Sequence, residues 1–208
     1  MVRALCIAGA FIIGLGQLAV AAGDSDLGTC QSAANDAKAI AACDRVISKG
    51  GLNNDDLARI YYERGMKHRY NRKFDPAIGD FTKAIALRPK YTWAYVARGH
   101  AYAYKKDFPD AFADQEKAIR MEPTEVTYTG RAMDLIEAGA YERAIADLNE
   151  ALRINAKYFH AYLNRGDAYL KMREFAKAEA DYRAALEIRP DDQFAKEGLE
   201  NARAHKVN

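Results

Sequence analysis

Residues 161–190 read AYLNRGDAYLKMREFAKAEADYRAALEIRP, and the pattern returns three times upstream. Residues 61–89 read YYERGMKHRYNRKFDPAIGDFTKAIALRP, residues 94–123 AYVARGHAYAYKKDFPDAFADQEKAIRMEP, and residues 128–156 YTGRAMDLIEAGAYERAIADLNEALRINA. A small residue recurs at Gly65, Gly99, Ala132 and Gly166, in steps of 34, 33 and 34. The same steps relate Ala77, Ala111, Ala144 and Ala178, and again Ala84, Ala118, Ala151 and Ala185. Pro89, Pro123 and Pro190 close three of the units, with Ala156 in that place in the third. Several columns sharing one irregular step mark an internal repeat.

The physics of one unit follows from its residues. Apolar side chains three and four places apart predict two amphipathic helices. The small residues let the two backbones approach closely, and proline, which cannot continue a helix interior, punctuates the passage to the next unit. A single hairpin cannot bury both of its faces, so the units must stack.

These columns resemble the tetratricopeptide repeat. Tyr61, Tyr95, Tyr128 and Tyr162 fill its first aromatic column, and Tyr102 and Tyr169 the second, from which His68 and Leu135 depart. Phe81, Leu148 and Tyr182 fill the bulky column between the alanines, from which Gln115 departs. The resemblance implies an all-α protein, a right-handed α-solenoid of helix hairpins with a concave side. It divides residues 58–192 into units at 58–91, 92–124, 125–158 and 159–192. Upstream, DAKAIAACDRVI matches a second helix, with Ala39, Cys43 and Val46 in the Ala, bulky and Ala columns. Residues 23–57 are thus a degenerate half-repeat, in which Cys30, thirteen places before Cys43, takes the second aromatic column. Residues 193–208 are a capping helix and tail, with Ala195, Leu199 and Ala202 on one face.

The first 22 residues are a separate object. Arg3 is the only charge before Asp24, Ala4 to Val20 is apolar apart from Gln17 and glycines, and Ala19 to Ala22 supplies small residues at peptidase spacing. This reads as a cleaved secretory signal; a retained anchor is the alternative. The glycines and the absence of a basic cluster after the stretch argue against a stable membrane span. The expected location is periplasmic or secreted. Cys6 leaves with the signal, and the even pair that remains, Cys30 and Cys43, reads as a disulfide in an exported chain.

The charge balance is near neutral, 31 basic against 29 acidic side chains, which argues against nucleic-acid binding by a basic face. Arginine precedes the small residue in each unit (Arg64, Arg98, Arg131, Arg165), and aspartate recurs in the second helices (Asp80, Asp114, Asp147, Asp181). Equal supply of both signs predicts an Arg–Asp ladder rather than an anion row. No metal spacing, Gly-rich phosphate loop or nucleophile elbow occurs. The expectation is a non-enzyme without cofactor or metal.

The family resemblance implies that ligands meet the first helix of each unit on the concave face. Carried onto this chain, the candidate groove is Arg59, Tyr62, Met66, Arg69 and Tyr70, then Trp93, Val96, His100 and Tyr104, then Met133 and Asp167. Aromatic and arginine side chains are the types that anchor interfaces. Met66 and Tyr62 stand where the chaperone-tail subclass needs a lysine–asparagine pair, so that activity is not implied. The expected role is an adaptor holding a protein or peptide segment of unspecified identity. The alternative is a structural component of an envelope or secretion assembly, joined through the convex face or terminal helices.

Intact mass of the exported protein should show loss of the chain up to Ala21 or Ala22 and no free thiol before reduction. The bridge would contribute about 3 kcal/mol by loop closure. Two alkylatable thiols in folded, unreduced, exported protein contradict this reading.

Overall fold

The structure, a computed structural model, describes residues 25–32, 34 and 37–206. The leader expected over residues 1–22, with Cys6, lies outside them. The described residues form eleven α-helices and no strand. They are α1 (Ser25–Cys30), α2 (Ala37–Lys49), α3 (Asn54–Tyr70), α4 (Phe74–Leu87), α5 (Thr92–Tyr104), α6 (Phe108–Met121), α7 (Glu125–Glu137), α8 (Tyr141–Ile154), α9 (Phe159–Lys171), α10 (Phe175–Ile188) and α11 (Gln193–Arg203).

Each helix packs on the next in sequence. The odd-numbered helices also touch one another in succession: α1 with α3, α3 with α5, α5 with α7, α7 with α9, and α9 with α11. Among the described residues, the even-numbered helices make no such contact among themselves. A layer whose members touch lies on the short inner arc of a curve, and one whose members are spread lies outside. The odd helices therefore line the concave side of the solenoid.

Inside each hairpin the small-residue column faces the bulky column. A Cβ placed on Gly65 would lie 2.7 Å from the Phe81 ring, and one on Gly99 or Gly166 would lie 3.0 Å from the Gln115 amide or the Tyr182 ring. The third unit has the smaller partner, Leu148, and tolerates Ala132 opposite it. The four bulky residues are fully buried. Column sizes are thus matched pair by pair, as close packing requires.

The turn from first to second helix needs one residue in the left-handed region. Arg72 (φ 58°), Lys106 (φ 66°), Gly139 (φ 78°) and Arg173 (φ 63°) take it. The next residue's N–H donates back into the helix, as Lys73 to the His68 carbonyl, closing the C-terminus. Three of these four turns use a basic side chain where glycine is the unstrained choice.

The repeated arginines and aspartates pair within their own units. Nε and Nη2 of Arg64, Arg98, Arg131 and Arg165 donate to the two carboxylate oxygens of Asp80, Asp114, Asp147 and Asp181, at 2.6–2.8 Å. Three of them also use Nη1 to reach the preceding unit: Arg64 to Asp44 (2.5 Å), Arg98 to Thr82 (2.9 Å) and Arg165 to Asn149 (2.6 Å). The same side chain therefore fixes the hairpin and its junction with the one before.

At the N-terminal end a disulfide joins Cys30 and Cys43, buried with Val46 and Ile60. Beside it the buried Lys67 ammonium donates to the carbonyls of Ser32 (2.7 Å) and Ala34 (2.9 Å), tying α3 to the segment after α1. At the other end α11 covers Tyr182 and presents Gly198 to it.

Asp147→Ala leaves the Arg131 guanidinium without its bidentate partner. That side chain is 26% exposed, so the loss should fall within roughly 1–3 kcal/mol, toward the lower end. Glu142→Ala, at an exposed position, should be near neutral; equal melting shifts for the two would refute the ladder's role.

A methyl at Gly198 would meet the Tyr182 ring at 2.4 Å, whereas one at Gly79 meets nothing within 4 Å. Gly198→Ala should lower stability by about 1–3 kcal/mol. Gly79→Ala, in the α4 interior, should raise it by up to about 1 kcal/mol. Thermal unfolding reads both; a Gly198→Ala protein as stable as wild type would mean that α11 does not close on Tyr182 as described.

Candidate functional site

The concave surface is built first on α3. Asn53 caps this helix, its side chain accepting from the Asp56 N–H at 2.9 Å. From there Arg59, Tyr62, Met66, Arg69 and Tyr70 fall at helical spacing along one stripe. Arg59 is exposed. Tyr62 is part-buried, its ring 5.9 Å from Phe81 and 5.2 Å from Tyr91. Met66 packs with it against the cluster of Ala77, Phe81, Ala97 and Ala101. At the end of the helix the Arg69 guanidinium lies 5.0 Å from the Tyr70 ring, and Tyr70 is 41% exposed.

The second unit adds Trp93, 38% exposed in the first turn of α5, and Tyr104 in its last turn. Tyr104 stacks on Phe74 at 5.2 Å with 13° between planes. The Arg72 guanidinium lies 5.7 Å from that same Phe74 ring on the way to α4. Burial raises the hydroxyl pKa of Tyr62 and Tyr104 and pushes that of Tyr91 up to about 12. Burial likewise lifts the Glu63 carboxyl above its ordinary range. These phenols are uncharged donors and apolar surfaces at neutral pH.

Two groove candidates lie elsewhere than the repeat register placed them. Val96 and His100 are both 7% exposed, enclosed where α5 meets α7. His100 Nδ1 pairs with Asp134 Oδ1 at 2.6 Å, and the Gln115 amide donates to Asp134 Oδ2 at 2.5 Å. The same amide is 3.4 Å from the Val96 carbonyl. A polar residue in the bulky column needs a buried partner; Asp134 meets the Gln115 amide N–H and the His100 imidazole, while Gln115 Oε1 is buried without one. They hold units two and three together and offer no open surface to a ligand. Asp167 is also engaged, accepting from the Tyr182 hydroxyl at 2.6 Å. Met133 is part-buried on α7.

The open surface is therefore concentrated at the first two units: Arg59, Arg69, Tyr70 and Trp93, on a floor of Tyr62, Met66, Tyr91 and Tyr104. Tyr91, Phe74 and Arg72 were not among the sequence candidates, because Arg72 and Tyr91 sit in connections and Phe74 opens the second helix α4, outside the first helices. The departure of Gln115 from its column was visible; its partner could have been sought among polar residues of the following helix. Among the described residues, no group of three His, Cys, Asp or Glu side chains is arranged to hold a metal ion, and no helix is long and apolar enough to cross a membrane.

Family models match three stretches: "Tetratricopeptide repeat" at residues 94–125 and 160–192, and "TPR repeat" at residues 134–172. The human protein "Tetratricopeptide repeat protein 16" is 28% identical over 149 residues, which is 72% of this chain and 15% of that protein. The chain thus spans a small part of that relative's length. Among solved structures, TTC0263 of Thermus thermophilus, "a thermophilic TPR protein", superposes with a TM-score of 0.69 at 20% identity, covering 80% of this chain and 90% of that one. YrrB, described as "a TPR protein with an unusual peptide-binding site", superposes at 0.54 with 19% identity, covering 83% and 84%. Residues 94–125 and 134–192 thus match tetratricopeptide-repeat models, and the helix hairpins upstream have the same form.

Proposed function

We propose that the chain is an exported adaptor that holds a protein or peptide segment against the concave face of its first two units. One observation carries the reading: Tyr70, with the Arg69 guanidinium 5.0 Å from its ring, and Trp93 are large aromatic side chains exposed on inner-layer helices, of which α3 also carries the exposed Arg59. An aromatic and arginine surface of this kind is what interface anchors are made of, and isolated solubility gives no reason for it. Tetratricopeptide repeat proteins bind protein partners, and the peptide-binding site named for YrrB supports a segment as ligand. Export rests on the leader pattern of residues 1–22 and on the Cys30–Cys43 pair, which suits an oxidising compartment. The side chains of this surface suit holding a partner rather than transforming one.

A second reading, a structural component of an assembly joined through its terminal helix, draws on Phe194, which is 43% exposed on α11. It uses a different surface, and so can be separated by substitution.

The test is selection of peptides from a random display library on the folded protein, followed by affinity measurement with Trp93 fluorescence as a second readout. Trp93→Ala and Tyr70→Ala should each weaken selected peptides by roughly tenfold, about 1.4 kcal/mol, with melting temperature unchanged. Tyr62 and Tyr104 are engaged in packing, so Tyr62→Ala should lower stability as well as affinity, while Tyr62→Phe keeps both. Peptides indifferent to Trp93 and Tyr70 would place recognition elsewhere, and loss of binding on Phe194→Ala would favour the terminal-helix reading.

A further inference from the structure

Several cations on the first two units are held by carboxylates. Arg64 and Arg98 hold their aspartates, Lys105 pairs with Asp75, and Lys106 pairs with Glu137. Arg69 and Arg72 differ. Among the described residues neither has a carboxylate within ion-pairing distance, and each lies near an aromatic ring instead, Arg69 at Tyr70 and Arg72 at Phe74. Arg59 is also without a carboxylate; it and Arg72 are exposed, whereas Arg69 is part-buried.

Arg69 is distinguished further. Its Nε is buried and has no hydrogen-bond partner, the only arginine nitrogen among the described residues in that state. A buried donor left unmade destabilises the fold, so its retention calls for a group that satisfies it. The position at the C-terminal turn of α3 gives the cation some favourable field from the helix, yet that field does not supply Nε with an acceptor. Tyr104 stacks on Phe74, the ring that the Arg72 guanidinium approaches, and so carries the patch from unit one to unit two; Arg69 stands three residues before Arg72, at the end of α3.

Building on the groove reading, we infer that Arg69 and Arg72, framed by Tyr70, Phe74 and Tyr104, form an oxyanion subsite that takes an aspartate or glutamate side chain of the bound peptide. A guanidinium near a ring keeps its edge free for bidentate donation to a carboxylate. The rings on either side take the apolar residue next to the acid. The ligand class is therefore a segment in which an acidic residue adjoins an aromatic or aliphatic one. This subsite is at the turn end of the groove, separated from Trp93 by the length of α5, about 16 Å at 1.5 Å per residue, so a segment touching both spans several residues.

The peptides selected on the wild-type protein supply the probe. They should be enriched in Asp or Glu beside an apolar residue, and their affinity should fall with added salt. Arg69→Gln and Arg72→Gln should each reduce that affinity by roughly tenfold, as expected for a charge-assisted contact, with the melting temperature unchanged for the exposed Arg72 and not lowered for Arg69, whose buried donor is lost; Arg120→Gln, on the outer layer, should leave the affinity as it is. Replacing the peptide's acid by its amide should cost the wild type the same factor and cost the Arg69→Gln protein little. If the peptides lack acidic enrichment, or if this cycle shows no coupling, the subsite is refuted while dependence on Trp93 and Tyr70 still upholds the groove. If no peptide is selected, both are refuted.

Discussion

How closely two antiparallel helices can approach decides the shape of every unit in this protein. The approach is set by a small residue on the first helix and a fully buried bulky one on the second: Gly65 with Phe81, Gly99 with Gln115, Ala132 with Leu148, Gly166 with Tyr182. With the backbones drawn in to that distance, the arginine one residue before the small one meets the aspartate one residue before the bulky one in a two-pronged pair. The pair's remaining donor then reaches the preceding unit in three cases. Hairpin closure and unit stacking are thus two consequences of one contact, and a methyl in the wrong column disturbs both.

Because that contact recurs at a nearly fixed step, most of the fold was legible from the chain alone. Column by column, the small, alanine and proline positions locate the helices and their breaks, and the equal supply of Arg and Asp foretells their pairing. Whether a pair lies within a unit or between units is a matter of rotamer and crossing angle, and only the three-dimensional arrangement decides it. The turn chemistry was less legible, since Arg72, Lys106 and Arg173 occupy left-handed backbone that composition would assign to glycine or asparagine.

The site was legible in its location and less so in its members. Repeat register places Tyr62, Trp93 and Tyr104 on the concave layer, but register says nothing about how closely neighbouring first helices pack. Between α5 and α7 they close over Val96 and His100, because Gly130 lets the chains come together and Asp134 with Gln115 answers the imidazole. Where a bulky column turns polar, the compensating residues come from the next unit, and exposed groove surface is lost in exchange. The two units before that junction keep their aromatic surface open, and the asymmetry between the halves of the solenoid follows.

The outer helices do not touch one another, and each inner helix touches only its immediate neighbours. Structural information therefore passes along this molecule as through a stack of coins, with no contact that skips a place. Such a chain loses order from its ends, because an end unit has one neighbour instead of two. Among the described helices the two ends are unlike: the first is sewn by a covalent bridge and the Lys67 tie, while α11 is held without a covalent link, by Ala195, Gly198, Leu199 and Ala202 against the Tyr182 core and by the Arg203–Glu179 pair. Within the described helices, opening is consequently directional in the oxidised state: α11 parts from its neighbours more readily than α1 and α2, and the aromatic end beside the bridge holds its form longest.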